Sequence, residues 1–217
     1  MTYSGDTFAG GPAQTRKTAD LTITKLTVGG LGNNSYLLRS RRTGATLLID
    51  AAAEPDRILG VCGGRLDRIL TTHGHLDHWT ALADVVAATG AESLASAADA
   101  EMISVPTDVT VGDGDAVSVG DVELEAVQLV GHTPGSIALI HRDSDGSTHV
   151  FSGDALFPGG VGNTWGDGAA FDSLLTDVTT KLFDRLPDDT WVYPGHGFDT
   201  TLRAERPQLS QWRDRGW

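Results

Sequence analysis

The sequence predicts a mixed α/β fold in which two β-sheets form the core and helices pack outside them. Short runs with strand-like alternation recur through both halves of the 217 residues, and each half also contains one or two segments with helical spacing. No fixed-period repeat is present, which excludes a solenoid. Because 40% of the residues are apolar, the chain has enough material for a sizeable core between such layers.

In the first half, the polar and glycine-rich residues 1–17 predict a loosely held leader. Asn33-Asn34 predicts a turn between the first two strands, and Gly90 is a typical residue at which a helix stops. Strands are predicted over 21–28, 35–39, 46–50 and 68–72, and helices over 54–59 and 79–88.

In the second half, Asp172 is predicted to cap a helix that Pro187 terminates. Strands are predicted over 117–119, 122–130, 136–140, 149–152 and 191–193, and the helix over 172–186.

The charge balance excludes some partners. With a net charge of −13, the chain lacks the clustered Lys and Arg with which proteins bind nucleic acid or anionic membranes. The single cysteine, Cys62, excludes an internal disulfide and suits a reducing compartment. No apolar run fits a signal peptide or a membrane span. We therefore expect a cytoplasmic protein with a small-molecule substrate, and the sequence leaves its oligomeric state open.

The segment His73-Gly-His75-Leu-Asp77-His78 lies between a predicted strand and a predicted helix. Alternation along an extended chain directs His73 and His75 to one side, where they can grip one cation, while Asp77 and His78 turn the other way. One loop could thus supply ligands for two metal ions. Imidazole nitrogen and carboxylate oxygen are donors that zinc accepts, although a surface histidine cluster at a turn is the simpler alternative.

Three more potential ligands follow predicted strands. His132 lies in the turn Gly131-His-Thr-Pro-Gly135, Asp154 follows Phe151-Ser-Gly, and His196 lies between two glycines. Each alone is more often a structural or turn residue. Their occurrence together with the His73–His78 segment predicts that they converge on one metal centre.

These motifs, in this order, resemble those of the metallo-β-lactamase superfamily over about residues 21–197. The resemblance implies an αββα sandwich, with residues 18–217 as a single domain and the site at one edge between two mixed sheets. It further implies that Asp50 is a structural support and not a ligand. By the same resemblance, His73, His75 and His132 would bind a first metal, Asp77, His78 and His196 a second, and Asp154 would bridge the two.

Within that superfamily the chain is most similar to the glyoxalase II-like branch, that of hydroxyacylglutathione hydrolase. The similar segments are 131–136, 153–157 and 194–197. They imply hydrolysis of a small thioester of a thiol conjugate, with two divalent ions, zinc first and iron or manganese as alternatives. Two departures are visible: only 21 residues follow His196, so the branch's C-terminal helical domain is not expected, and the loop 160–167 lacks the branch's arginine.

The expected chemistry is attack on the carbonyl carbon by a hydroxide shared by two metals about 3.5–4 Å apart. Asp77, a ligand close to that nucleophile, is a candidate proton acceptor and therefore a candidate catalytic residue. Candidates for the substrate pocket are Asn163, Thr164 and Trp165, whose loop is expected to overhang the metals, and Trp79, for which anchoring of its helix is the favoured alternative.

Three other functions are compatible with the sequence. A persulfide dioxygenase of the same fold would use one iron, held here by His73, His132 and Asp154. Hydrolysis of a lactone or phosphodiester fits the same ligands. A non-catalytic scaffold is disfavoured because all seven candidate ligands are present. Metal content separates the first alternative from a dinuclear hydrolase.

Overall fold

The structure is a computed structural model that describes residues 3–216, and its first sheet contains seven strands in chain order. The first four pair antiparallel and the last four parallel, so that the fourth strand belongs to both arrangements. The strands are β1 (Gln14–Lys17), β2 (Leu21–Val28), β3 (Asn33–Ser40), β4 (Thr46–Ile49), β5 (Arg68–Leu70), β6 (Glu92–Ala95) and β7 (Val109–Thr110).

The second sheet has six strands in the order β15-β14-β11-β10-β9-β8, and only the β11–β14 pair is parallel. A separate hairpin follows β11. The strands are β8 (Ala116–Val119), β9 (Val122–Gln128), β10 (Ile137–Arg142), β11 (Thr148–Gly153), β14 (Trp191–Pro194) and β15 (Thr200–Thr201), and the hairpin consists of β12 (Leu156–Phe157) and β13 (Gly160–Val161).

Helices cover the outer faces of both sheets. Those on the first sheet follow β4 and β5, and those on the second come from the last third of the chain. Within residues 3–216, no helix combines the length and the apolar character that crossing a bilayer requires. The helices are α1 (Pro55–Cys62), α2 (Leu82–Thr89), α3 (Gly168–Asp177), which continues as a π-helical segment (Val178–Phe183), α4 (Leu202–Glu205) and α5 (Leu209–Arg215).

Three apolar clusters account for this layering. In β4, Leu47 and Ile49 face the second sheet, whereas Leu48 faces the helices on the other side. A strand buried on both faces is what parallel pairing between helices and a second sheet produces. One cluster lies between the sheets and one lies under each helical layer, so the predicted αββα sandwich is confirmed.

Three differences concern segments that the sequence prediction named, and the strands β6, β7, β12, β13 and β15 and the helices α4 and α5 were not predicted. Residues 14–17 of the expected leader form β1, an edge strand whose polar side chains carry no apolar alternation; residues 1 and 2 lie outside the described part. Asn33 and Asn34 begin β3, and the turn is made by 29–32. The helix over 172–186 begins earlier, because Asp167 and not Asp172 caps it, accepting hydrogen bonds from two backbone amides.

Candidate metal centre

The segment His73–His78 leaves the carboxyl end of β5, where the two sheets meet. The backbone amide of Ile137 in the second sheet donates to the Thr72 carbonyl over 2.8 Å. After His75 the chain turns into a short 3-10 helix (Leu76–His78). The ring of His78 nevertheless lies close to that of His73, with centroids 4.1 Å apart, so the expected divergence of His78 from His73 is not seen.

A first group consists of His73, His75 and His132, whose ring nitrogens lie within 4.8 Å of one another. His75 Nδ1 is 2.9 Å from His132 Nε2, which is 3.3 Å from His73 Nε2. His73 and His132 are buried and His75 is half-buried. Three imidazole nitrogens from two sheets thus point at one small volume.

A second group consists of Asp77, His78 and His196. His78 Nε2 and His196 Nε2 are 3.2 Å apart, and His196 Nε2 is 3.4 Å from Asp77 Oδ2. His78 is fully buried, whereas the other two side chains are about one quarter exposed, at 25% for His196 and 30% for Asp77. This group is therefore the one nearer to solvent.

Asp154, directly after β11, lies between the two groups. Its Oδ2 is 3.6 Å from His132 Nε2 in the first group and 3.5 Å from His196 Nε2 in the second. Its Oδ1 is 3.4 Å from His78 Nε2, yet it is buried and has no hydrogen-bond partner. A buried carboxylate oxygen without a partner is costly unless a cation or water satisfies it.

The residues present fit two divalent cations. Donor atoms placed 2.0–2.1 Å from a tetrahedral zinc lie about 3.3 Å from one another, close to the spacing of the facing nitrogens. Neighbouring imidazole nitrogens that face each other can share at most one proton per pair, so a bound cation satisfies lone pairs that the protein leaves unmatched. The mixed nitrogen and oxygen donor set also suits zinc and similar ions.

Burial controls the protonation of the first group. Loss of water lowers the pKa of His73 well below its usual value, an effect to which the charge of His78 adds, and burial also lowers the pKa of His75 and of His132. These three histidines are consequently neutral near pH 7, the form in which imidazole binds a metal.

The pKa of His78 shifts in the opposite direction, upward. Although burial opposes it, the carboxylates of Asp50 and Asp154 raise the pKa of His78 to about 10. Burial likewise opposes the effect at Asp154, where His78 and the neighbouring imidazoles lower the pKa of the carboxyl. This part of the centre therefore favours a positive charge between its carboxylates, which suits a bound cation.

Asp50 supports the segment His73–His78, which we name the metal loop, through contacts with Thr72 and His78. It is fully buried and has a left-handed backbone conformation (φ 58°), which residues other than glycine rarely adopt. Its carboxylate accepts hydrogen bonds from the Thr72 amide and hydroxyl over 2.7 and 2.9 Å, and it lies 2.8 Å from His78 Nδ1. Because Nδ1 of His78 lies against Asp50, its Nε2 faces the other two members of the second group, His196 and Asp77.

Two supporting residues, Asn33 and Lys25, were not predicted from the sequence. The Asn33 amide donates to Asp77 Oδ2 over 2.9 Å and lies 3.2 Å from His196 Nε2. The fully buried Lys25 donates to the Gly197 carbonyl over 2.8 Å and pairs with Asp199. Both residues lie in the first sheet and support the loop of the second sheet that carries His196. Only their position after folding reveals this role, because neither belongs to a recognisable local motif.

The four pocket candidates occupy different positions. The Trp165 ring lies 5.2 Å from the rings of both His75 and His132, and 63% of its surface is exposed. The carbonyl of Asn163 is 2.9 Å from His132 Nδ1. Thr164 is buried. Trp79 packs against the core under α1 and α2 and donates its indole N–H to the Gly74 carbonyl, so it anchors the metal loop.

Comparison with known proteins gives a consistent family. The sequence model of the metallo-beta-lactamase superfamily matches residues 28–196. Hydroxyacylglutathione hydrolase of Polaromonas sp. strain JS666 is 38% identical over 169 residues, which cover 76% of this chain. The match spans only 62% of that relative's length.

Two solved structures share the fold at higher coverage. ETHE1 from Myxococcus xanthus has a TM-score of 0.77 and 30% identity, and the match covers 88% of this chain and 84% of that one. TTHA1623 in a di-iron-bound form has a TM-score of 0.70 and 32% identity, with 84% and 96% covered.

Proposed function

The chain belongs to the metallo-beta-lactamase superfamily, and from that premise we propose that it is a dinuclear metal-dependent hydrolase of a small thioester. The observation that carries the proposal is the position of Asp154. Its carboxylate oxygens face both groups, and Oδ1 has no hydrogen-bond partner. A carboxylate between two nitrogen-rich groups is the arrangement that a bridged pair of cations requires.

In this proposal one set of three residues would hold the first ion, another set would hold the second, and Asp154 would contact both. Bound ions would supply Lewis acidity, which would lower the pKa of water in the site toward about 7 and polarise a carbonyl oxygen. The similarity to TTHA1623 in its di-iron-bound form supports a site for two ions. The first set is His73, His75 and His132, and the second is Asp77, His78 and His196.

The chain's own residues orient the reaction. Asn33 holds Oδ2 of Asp77, so this carboxylate, itself a member of the second group, is fixed in position as the proposed proton acceptor. Asp50 holds His78, and the Asn163 carbonyl fixes the ring of His132. Trp165 covers the rings of His75 and His132 on the solvent side and, together with Asn163 and Thr164, forms the proposed wall of the substrate pocket.

The proposed substrate class follows from the relatives. The Polaromonas protein is named for the hydrolysis of hydroxyacylglutathione, a thioester. Because this chain spans 62% of that relative, we propose thioester hydrolysis for it and not the relative's full substrate recognition. The substrate is accordingly a thiol conjugate whose acyl–sulfur bond is cleaved.

Elemental analysis followed by a thioesterase assay tests the proposal. The purified chain, loaded with zinc, should hold about two ions and hydrolyse an S-lactoyl thiol, with release of one thiol per bond cleaved. A protein that holds both ions and cleaves no thioester, while cleaving a lactone or a phosphodiester, would assign the site to the other ester class.

One observation favours a second function. The likeness to ETHE1 from Myxococcus xanthus fits a persulfide dioxygenase with a single iron, held by His73, His132 and Asp154. Such a protein would contain one iron per chain and consume oxygen when given a thiol persulfide. Two ions and no oxygen uptake would exclude it.

A further inference from the structure

Large apolar side chains are concentrated in the loops around the candidate metal centre. Within residues 3–216, six large hydrophobic side chains are classed as exposed, with 46–72% of their surface accessible. One of them, Phe8, packs near Gly11 in the N-terminal segment. The other five, which we name the apolar collar, are Leu31, Leu76, Met102, Trp165 and Phe198.

Three members of the apolar collar adjoin a predicted ligand. The Leu31 carbonyl is 3.2 Å from Nδ1 of His196, and Phe198 follows that histidine by two residues. Leu76 lies between His75 and Asp77 in sequence. The collar therefore borders both groups of ligands, since His75 belongs to the first and His196 to the second.

The other two members lie above the metal loop. A Cβ placed on Gly74 would lie 2.7 Å from Met102 Cβ, so this methionine packs directly on the loop backbone between the two histidines. The Trp165 ring lies 5.2 Å from His75 while its backbone has a left-handed φ of 52°, which is unfavourable for a large side chain. The Asn163 side chain accepts a hydrogen bond from the Trp165 amide over 2.7 Å and so holds this conformation.

Such a concentration has a physical meaning. Isolated exposed apolar side chains are ordinary, but a group of them around a polar site indicates a surface that contacts an apolar ligand. The backbone at Trp165 is already held by a hydrogen bond from its amide to Asn163, so this loop costs less to order around a ligand.

The cations near these loops are poorly placed for an anionic substrate. Lys25, under Gly197, is fully buried and paired with Asp199, and Arg57 pairs with Glu54. Arg215 donates to the Gly159 carbonyl beside the loop 160–167. Even with two divalent cations bound, the net charge of −13 is only partly offset, and it disfavours the approach of a conjugate, such as one of glutathione, that carries two carboxylates.

We propose that the preferred substrate is a thioester without net negative charge that carries an apolar chain of several carbons, and that the apolar collar covers this chain. The inference rests on the proposed thioesterase function and specifies its substrate class. It differs from the substrate named for the Polaromonas relative, which is a glutathione conjugate.

The first experiment varies chain length and charge separately on the zinc-loaded full chain. Acetyl, butanoyl and octanoyl thioesters of neutral N-acetylcysteamine are compared with the same acyl thioesters of glutathione. Complete burial of one methylene is worth about a fourfold change, so partial cover of six should raise kcat/KM by at least about tenfold from acetyl to octanoyl. The neutral thiol should be preferred over glutathione for each acyl group.

A second experiment measures binding without turnover. S-octyl and S-methyl thioethers of N-acetylcysteamine, which have no acyl–sulfur bond to cleave, are titrated calorimetrically into the zinc-loaded protein. If the collar covers the thiol side, the octyl compound should bind at least about tenfold more tightly. If the collar covers the acyl side, the two thioethers should bind alike and the effect of chain length should appear in the acyl series alone. A dependence on chain length in neither series overturns the proposal.

Two variants and a matched control connect the effect to the collar. Trp165→Ser and Phe198→Ser should each reduce the octanoyl-to-acetyl ratio of kcat/KM by about threefold or more. Phe8→Ser removes an equally exposed aromatic ring and should leave that ratio unchanged. An equal reduction in Phe8→Ser would contradict the assignment to the collar.

The outcomes separate this inference from the function on which it rests. If the zinc-loaded protein cleaves no thioester, the proposed function fails. If it cleaves S-lactoylglutathione at least as well as the octanoyl thioester, that function stands and only the apolar preference is overturned. A dimer that Trp165→Ser converts to a monomer, with no dependence on chain length, would show that a second copy covers the collar and would overturn the inference too.

Discussion

At the residue scale, Asp77 has the charge, the fixed orientation and the partial exposure that a proton acceptor needs. Its side chain is 30% exposed, and Asn33 holds one of its oxygens over 2.9 Å. Although burial opposes the effect, the hydrogen bond from Asn33 and the charge of His78 lower the pKa of Asp77. The carboxylate is therefore charged, oriented and open to solvent on one side.

We expect Asp77→Asn to reduce kcat for thioester hydrolysis by about 100-fold or more while at least one metal ion stays bound, because the amide cannot accept a proton. The measurement is steady-state hydrolysis together with metal content. Asp84→Asn, on the exposed face of α2, is the control and should be unaffected. A fully active Asp77→Asn variant would exclude the catalytic role.

Gly195 is a second position where one residue controls the centre. A Cβ added there would lie 2.2 Å from Asp154 Oδ1 and 2.8 Å from His78 Cε1. The absence of a side chain therefore lets the chain before His196 pass directly beside the carboxylate that faces both groups.

We expect Gly195→Ala to weaken zinc binding by at least about tenfold, because Asp154 must move away from its position between the two groups. Gly60→Ala is the matched control: it adds the same methyl group in α1, where nothing lies within 4 Å, and should stabilise the helix by roughly 0.5–1 kcal/mol. Zinc titration of both variants tests this, and equal affinities would refute it.

The candidate ligands could be recognised in the sequence because each lies in a short motif with glycine, proline or a second histidine, and their role as ligands stays a prediction. Lys25 and Asn33 could not, since their contacts with the His196 loop join residues 172 and 163 positions apart. A buried lysine inside a strand looks, in sequence, like the exposed position of an alternating pattern. Its partners are two carbonyl groups and Asp199, and only the fold brings them together.

At the element scale, the β10–β11 hairpin is fixed to the turn between β1 and β2. Asp143 Oδ2 accepts a hydrogen bond from the Asp20 amide over 3.2 Å and lies 3.2 Å from His141 Nε2, while Asp20 accepts from the Ser144 amide. Although burial opposes it, hydrogen bonds from Thr18, Asp20 and His141 lower the pKa of Asp143 to about 2. This contact links the two sheets at a point away from the metal centre.

The sign of the pH dependence follows from the lowered pKa. The stabilisation by Asp143 is present above its usual pKa near 4 and is lost as the pH falls toward 2. The shift from 3.8 to about 2 corresponds to about 2 kcal/mol. We expect Asp143→Asn to lower the free energy of unfolding by about that amount at pH 7 and by much less near pH 2. Urea unfolding of the metal-free proteins measures it, and a pH-independent difference would contradict the linkage.

Elements with a clear apolar period were predictable, and two of the exceptions have a common cause. The alternation in β2 and the apolar runs of β4 and β9 reflect burial, so their positions agree with the structure. In contrast, β1 is an edge strand with polar side chains only. Asn33 and Asn34 have the composition of a turn, but the Asn33 side chain donates to Asp77 and the Asn34 side chain donates to the Pro194 carbonyl instead. Local propensity predicts the wrong secondary structure where a tertiary contact determines the conformation of the segment.

At the scale of the whole molecule, the candidate ligands come from both sheets. Four follow β5 in the first sheet, whereas His132, Asp154 and His196 follow strands of the second. Backbone hydrogen bonds already join the sheets at this edge, from Ile137 to Thr72 and from Asn34 to Gly195. The predicted αββα arrangement thus explains why ligands so far apart in sequence meet, while the identity of the metals depends on distances that sequence does not encode.

Because cations at this edge would connect the two sheets, metal binding should be linked to global stability. At a free zinc concentration one hundred times the Kd, each site adds about 2.7 kcal/mol, which raises Tm by roughly 5–10 °C for a chain of this size. We expect EDTA to lower Tm by at least that amount and zinc to restore it. Magnesium, which prefers an all-oxygen environment, should have little effect. Hydrogen exchange should accelerate on chelation in loops of both sheets at once, and acceleration confined to the His73–His78 segment would show that the cations do not connect the sheets.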